Sequence, residues 1–527
     1  MRRSFLFLCL TLTTCVALSA QKNTTKSAYS EPHRPQFHFS PPAKWMNDPN
    51  GMFYYKGEYH LFYQYYPDST VWGPMHWGHA VSRNLRRWEH LPVALYPDSL
   101  GYIFSGSAVV DWKNTSGFGK NGQPPIVAIY TYHNMAGEKS GRSDFQYQGI
   151  AYSNDNGRTW TKYAANPVIP NKENIRDFRD PKVRWDDVSG QWVLVLAAQN
   201  HVRFYGSQDL KNWKFLSDFG REWGSHGGVW ECPDLFPVKV EGSTEKKWVL
   251  LVSINPGAPN GGSGTQYFVG NFDGKSFTPD QSFTASIQNE QGVWLDYGRD
   301  NYAGVTWSDV PAKDGRRLFM GWMSNWDYAT VVPTDTWRSA MTLPRELKLK
   351  TTSAGYRLFS TPVRELGSLK KESTYALTPV QLSGEQDITK ETGFADGLLE
   401  MVIEFRPDAA AEFGIELSNT RGERYRIGYN AQTKQFFSDR TQAGDASFSP
   451  KFADRVHTAP RLSGDPTVAL HLFFDVASAE LFADNGATVM TDIFFPKEKF
   501  TRMKMYSRNG KTDVVVGRAW GLKRIWR

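Results

Sequence analysis

One short pattern recurs through the first two thirds of the chain and limits its fold more than any other feature. A small residue and a polar pair are followed a few positions on by Trp or Phe. The copies are SRNLRRWEH (Ser82 to His90), SNDNGRTWTKY (Ser153 to Tyr163), GSQDLKNWKFL (Gly206 to Leu216) and a weaker GNFDGKSFTP (Gly270 to Pro279). Their spacing is irregular, on the order of 55 to 70 residues, longer than common propeller repeats. Each copy reads as a strand, a tight turn at Asp, Asn or Gly, and a returning strand carrying an aromatic. Apolar runs lie between them: GSAVVDW, QWVLVLAA, KWVLLVSI and RLFMGWMS. Such runs suit strands buried on both faces. Four or five repeats of a four-stranded unit make a β-propeller, whose polar axis is the natural place for a site. The 19 Trp, 24 Tyr and 33 Phe favour strands, and 45 Gly and 29 Pro punctuate them.

The pattern stops near Lys350. Residues 351–373 read as a linker. From 374 to 527 the texture is of alternating strands such as LLEMVIEF and VALHLFFDV, spaced as in a β-sandwich. The chain is therefore expected to be all-β, with a propeller over 36–350 followed by a sandwich. Residues 1–20 read as a signal peptide: Arg2 and Arg3, an apolar run from Phe5, then Leu18-Ser19-Ala20. A leader covers 21–35. The apolar run is too short for a membrane span of about 20 residues. Secretion or periplasmic export is expected, with lipidation at Cys15 as the lesser alternative. Cleavage would leave Cys232 as the sole Cys, so no internal disulfide is expected. The net charge of +7 is scattered rather than clustered, which argues against a nucleic-acid partner.

Three carboxylates have unusual neighbours: Asp48 in WMNDPNG, Asp180 in DFRDPKV and Glu231 in VWECPDLFPV. Each lies among apolar or aromatic residues at a strand edge. A buried carboxylate is costly unless it has a partner or a task. Glycosyl transfer needs such a set: an ionised nucleophile, a carboxylic acid of raised pKa, and groups that hold sugar hydroxyls. Apolar surroundings make Glu231 the proton donor. Pro-Asn-Gly predicts a turn that ends its strand abruptly, with amides there keeping Asp48 ionised as nucleophile. Asp180, beside Arg179, is expected to stay ionised.

WMNDPNG, FRDP and WECPD together resemble glycoside hydrolase family 32, the fructan hydrolases and invertases. The resemblance runs over nearly the whole mature chain. It implies a five-bladed propeller with a C-terminal sandwich, and no cofactor. It implies nucleophile Asp48, transition-state stabiliser Asp180 and acid/base Glu231. It further implies a fructose pocket of Asn47, Gln64, Trp72, Phe104, Ser105 and Arg179, with a late Trp for which Trp326 is preferred over Trp322. Cys232 is expected to pack beneath the site and tune the acid. His76 and His79, in a loop entering a strand, read as no metal site.

The expected activity is hydrolysis of β-fructosyl linkages in levan, inulin or sucrose, with retention. The stretch Ser253 to Gly274 resembles bacterial exo-fructanases and favours exo action. Fructosyl transfer or endo attack would use the same residues. More distant rivals are an inverting arabinan or xylan hydrolase and a non-catalytic sugar-binding propeller. A monomer or dimer is expected.

Overall fold

A computed structural model describes residues 29–287, 292–408 and 411–526. The expected signal peptide and residues 21–28 of the leader lie outside the described residues. No helix among the described residues is long and apolar enough to cross a membrane.

Five sheets of four main antiparallel strands form a five-bladed propeller. Their inner strands are Lys44–Tyr55, Tyr102–Val110, Phe178–Asp186, Val229–Lys239 and Tyr302–Thr306. These five pack side by side around one axis. The ring closes where Lys44 and Trp45 pair in parallel with Trp337 and Arg338.

The recurring pattern is the outer hairpin of the first four blades. SRNLRRWEH joins His76–Ser82 to Glu89–Leu95, and SNDNGRTW joins Gln146–Ser153 to Thr161–Lys162. The same device shapes each turn. Oδ1 of Asn84, Asp155, Asp209 or Asp273 accepts hydrogen bonds from two backbone amides two to four residues on. A short Asx side chain can cap a turn in this way, which explains why the pattern needs Asp or Asn.

The fifth blade lacks this signature, and there the linker reading fails. Arg345–Thr352 pairs with Gly355–Pro362 as the blade's outer hairpin. A 3-10 helix, Arg364–Leu369, follows, and Lys370–Ala376 already pairs with the last strand of the C-terminal region. The stretch 351–373 is thus folded into both neighbours. The hairpin is not apolar enough to betray this. Half-buried Lys348 and Lys350 alternate with buried Leu347 and Leu349 on a strand packed on one face only.

The C-terminal region is a β-sandwich whose layers share one long strand, Arg502–Leu522. Its first half pairs with Glu412–Ser418 and its second half with Leu399–Pro407. Met401, Ile403 and Phe405 from one ladder and Phe413, Ile415 and Leu417 from the other are buried in a single core.

Buried charges bolt the two parts together. Arg345, on the fifth blade, donates to Asp296 at 2.9 Å, and to Glu480 and Thr491 of the sandwich at 2.5 and 2.6 Å. Arg440 of the sandwich meets Asp300 at 2.6 Å. The end of the leader is part of this joint rather than a free approach. Tyr29 stacks on Trp526 at 4.2 Å, and Arg34 is buried against Glu31 and the Pro41 carbonyl. Just beyond it, the two ring nitrogens of His38 meet Asp475 and Glu480, each at 2.8 Å.

Candidate active site

All five inner strands carry a β-bulge at the same level of the axis. Between the pairs Met46–Tyr65 and Pro49–Tyr63, two residues, Asn47 and Asp48, oppose Gln64 alone. Phe104 and Ser105 likewise oppose Thr131, and Asp180 and Pro181 oppose Leu196. Cys232 and Pro233 oppose Val252, and Ala303 and Gly304 oppose Gly321. A bulge bends the strand and re-aims its side chains. Pro49, Pro181 and Pro233 are tolerated because an inner strand is the edge of its blade and needs no N–H there. The left-handed backbone of Asp180 (φ 66°), Cys232 (φ 45°) and Ala303 (φ 52°) marks local strain, of a kind that clusters at functional sites.

These bulges correct the reading of WMNDPNG. Lys44–Tyr55 is one continuous strand, with a second bulge between Asn50 and Phe53, and its turn comes only at Lys56 and Gly57. Gly51 adopts φ 56°, and a Cβ there would lie 2.6 Å from the Trp77 ring.

The bulges open onto a cavity of about 350 Å³. Asp48, Asp180, Glu231, Asn47, Gln64, Trp72, Phe104, Ser105, Arg179 and Trp326 all line it. Trp322 does not; it is fully buried beside Trp326 at 5.0 Å. Trp45 is also fully buried. It stacks on Trp326 at 5.8 Å, and its Nε1 donates to Asn47 Oδ1 at 2.7 Å. Trp45 therefore fixes Asn47, which in turn donates to Asp48 Oδ1 at 3.0 Å.

Ser105 Oγ donates to Asp48 Oδ2 at 2.9 Å. Burial nevertheless pushes the Asp48 carboxyl up from its usual range, with Asn47 and Ser105 opposing. The expected depression of Asp48 by turn amides is not found, because the chain forms no turn there. Asp180 accepts from the Cys232 amide at 3.0 Å. Burial raises it to about 6, against the opposing charge of Arg179.

Arg179 turns away from its neighbour Asp180, at 4.0 Å, toward Glu231. Its Nε and Nη2 donate to Glu231 Oε1 at 3.1 and 2.9 Å, and its Nη1 to Asp177 Oδ1 at 2.6 Å. Tyr302 donates its hydroxyl to Glu231 Oε2. Burial is the largest influence on Glu231 and lifts it to about 7, although Arg179 opposes and Asp180 and Asp48 add to the rise. Cys232 packs beneath the site, but its thiol meets the other two carboxylates rather than Glu231. Its Sγ lies 3.7 Å from Asp48 Oδ2 and 3.6 Å from Asp180 Oδ2, and burial holds the thiol protonated. A protonated thiol is a weak donor that two carboxylates can share.

Sequence reasoning missed several lining residues. His133, Gln146 and Asn255 come from second and third strands, and Glu138 from the short helix Met135–Lys139. Asp177 and Tyr302 are missed too. Only Asp177, three residues before Asp180, carried any local signal. Among the described residues no group of three His, Cys, Asp or Glu is arranged to hold a metal. His79 instead sits beside His60 at 3.1 Å.

The family model described as "Glycosyl hydrolases family 32 N-terminal domain" matches residues 38–362, and that of the family 32 C terminal matches 365–521. The chain is 48% identical to a levanase of Bacillus subtilis, covering 98% of this chain and 74% of that one. It is 40% identical to an extracellular exo-inulinase of Aspergillus awamori, covering 94% and 96%. The crystal structure of the Aspergillus awamori exo-inulinase superposes with a TM-score of 0.86 over 94% of this chain and 100% of that one, at 37% identity. A fructofuranosidase of Schwanniomyces occidentalis, solved with fructose, gives 0.80 at 33% identity, over 95% and 100%.

Proposed function

The chain belongs to glycosyl hydrolase family 32, and on that footing we propose that Asp48, Asp180 and Glu231 carry its chemistry at C2 of a fructosyl unit. The protein is a glycoside hydrolase that cleaves β-fructosyl linkages of fructans. Glu231 gives its proton to the glycosidic oxygen as the C2–O bond breaks. Asp48 forms the new bond to C2. Water then attacks C2, returning its proton to Glu231 and freeing Asp48, so fructose leaves with retained configuration. Asp180 accepts fructosyl hydroxyls and stabilises positive charge on the ring. Asn47, Gln64 and Arg179 bind further hydroxyls, and Trp72, Phe104 and Trp326 offer apolar faces.

The observation that carries this assignment is the contrast in hydrogen bonding. Asp48 is held by neutral donors only, as suits a nucleophile that must be free of a counter-ion. Glu231 faces Arg179 and Tyr302 and is poised near neutrality, as suits a group that must give and regain one proton.

Action is proposed to be exo, on a chain end. This reading is supported by the relatives named as exo-inulinases. Export from the cell is proposed too, in keeping with the relatives named as extracellular. The test is chromatography of early products from sucrose, inulin and levan, with the anomer of released fructose read by NMR. From inulin and levan, fructose alone is expected, first as the β-anomer; from sucrose, fructose and an equal amount of glucose are expected. A ladder of oligosaccharides overturns exo action, an inverted first anomer overturns the mechanism, and near-normal turnover by Asp48→Ala overturns the site.

A further inference from the structure

A second cavity, of about 390 Å³, lies at the other end of the propeller axis. In the strand Tyr102–Val110, Phe104 and Ser105 face the catalytic pocket, whereas Val109 and Val110 line this one. The strand Phe178–Asp186 divides in the same way, with Arg179 and Asp180 at one end and Lys182 to Trp185 at the other. In Val229–Lys239 the corresponding residues are Glu231 and Asp234. The family's reaction uses none of the groups at this mouth.

The second cavity is furnished with both hydrogen-bond donors and acceptors. Asp234 is 1% exposed, and its Oδ2 accepts from the Thr306 amide and hydroxyl at 2.6 and 2.8 Å. Its Oδ1 is buried without a donor among the described residues. Lys182 lies 3.3 Å from Asp234. Arg184 Nη1 has no hydrogen-bond acceptor among the described residues, although Asp186 is 3.7 Å away. Exposed Asp187 adds an acceptor at the rim. Trp112 also stands at the rim, 61% exposed, with its indole pinned by a 2.9 Å bond from Nε1 to Asp309 Oδ1.

We propose that this opposite mouth is a second sugar-binding site, which takes a fructosyl unit or short fructo-oligosaccharide with Trp112 as its stacking face. Its volume is close to that of the catalytic pocket. A hydroxyl can donate to Asp234 or Asp187 and accept from Lys182 or Arg184, so a neutral polyol satisfies both kinds of group. An anion such as sulfate would meet Lys113, Lys182, Arg184, Arg316 and Arg317 at this mouth, but it carries no donor, so it would leave Asp234 Oδ1 unsatisfied and face Asp187 and Asp309 as well. An aromatic ring held rigidly at a rim offers its face to sugar C–H groups at little entropic cost. The ligand class rests on the fructan activity stated above.

The test is calorimetric titration of the full chain carrying Asp48→Asn, which slows turnover, with the trisaccharide 1-kestose. Two sites per chain are expected. Adding Trp112→Ala is expected to weaken one of them roughly tenfold and leave the other unchanged. Asp187→Ala, at an exposed position, is expected to weaken the same site about 2- to 10-fold. In the otherwise unmodified enzyme, Trp112→Ala should leave kcat/KM on 1-kestose unchanged and lower the rate on polymeric fructan. A single site per chain overturns the proposal but not the catalytic reading. No binding at all overturns both. Two sites that both ignore Trp112→Ala and Asp187→Ala, or a second site that takes sulfate in place of 1-kestose, overturn the placement.

Discussion

Arg179 donates twice to Glu231, at 3.1 and 2.9 Å, although Asp180 is its neighbour in the chain. The guanidinium thus moderates the pKa of the proposed acid more directly than that of the proposed stabiliser. Burial lifts Glu231 to about 7 and Asp180 to about 6, with Arg179 opposing both. Proton donation needs Glu231 protonated and charge stabilisation needs Asp180 ionised. Activity should therefore peak between about pH 6 and 7 and fall on either side. Arg179→Gln removes the opposing charge, so Glu231 should hold its proton to higher pH. The expected outcome is an alkaline limb of the kcat/KM profile displaced upward, alongside a lower maximum. A limb that stays put or moves down contradicts the pairing.

Glu231→Gln keeps the shape of the side chain but has no transferable proton. A loss of about 10²- to 10⁴-fold in kcat on inulin or levan is expected. A substrate whose leaving group departs without protonation should recover much of that loss in the first step. Equal losses on both substrates would assign Glu231 a binding role instead.

Arg345 is wholly buried between Asp296 of the propeller and Glu480 of the sandwich. Removing one partner of a buried charge cluster leaves the others uncompensated. Arg345→Met is expected to destabilise the chain by about 3–5 kcal/mol. Denaturant unfolding, followed by Trp fluorescence, checks this, and a change below about 1 kcal/mol would show that the cluster does not hold the domains together.

His38 gives the same joint a pH dependence. Burial pushes its imidazole down, but Asp475 and Glu480 outweigh burial and raise it to about 9, from 6.5. A raised folded-state value means that this contribution is fully present below about pH 6.5 and is lost as pH rises through about 9. His38→Ala should therefore cost more stability at about pH 6 than at about pH 10. Thermal melts of both proteins at the two pH values decide it, and an equal cost contradicts a charged His38.

Gly51→Ala tests the first bulge. A Cβ would press on the Trp77 ring, and the backbone there has φ 56°. A loss of about 1–3 kcal/mol is expected. Because Asp48 sits three residues before, kcat should fall more than KM changes.

Much of this protein was written in local sequence. The Asx turn and following aromatic in four hairpins announced the blades, because a side chain and the amides two to four residues on meet without help from the rest of the fold. The three carboxylates were legible because each lies among apolar or aromatic residues, where a carboxylate is costly unless it has a partner or a task. Tertiary structure alone decided what those carboxylates touch. WMNDPNG looked like a turn, since a bulge and a turn use the same residue types and differ only in whether a partner strand continues alongside. Arg179 looked like the partner of Asp180, until folding placed Glu231, 52 residues on, within its reach. Tyr302, His133 and Glu138 gave no sign, because they join the site through blade packing and not through spacing in the chain. The fifth blade's last hairpin passed for a linker because it lacks the Asx turn of the other four. Neighbours a few residues apart are set by backbone geometry, whereas contacts across the axis exist only once five separate sheets have closed around it.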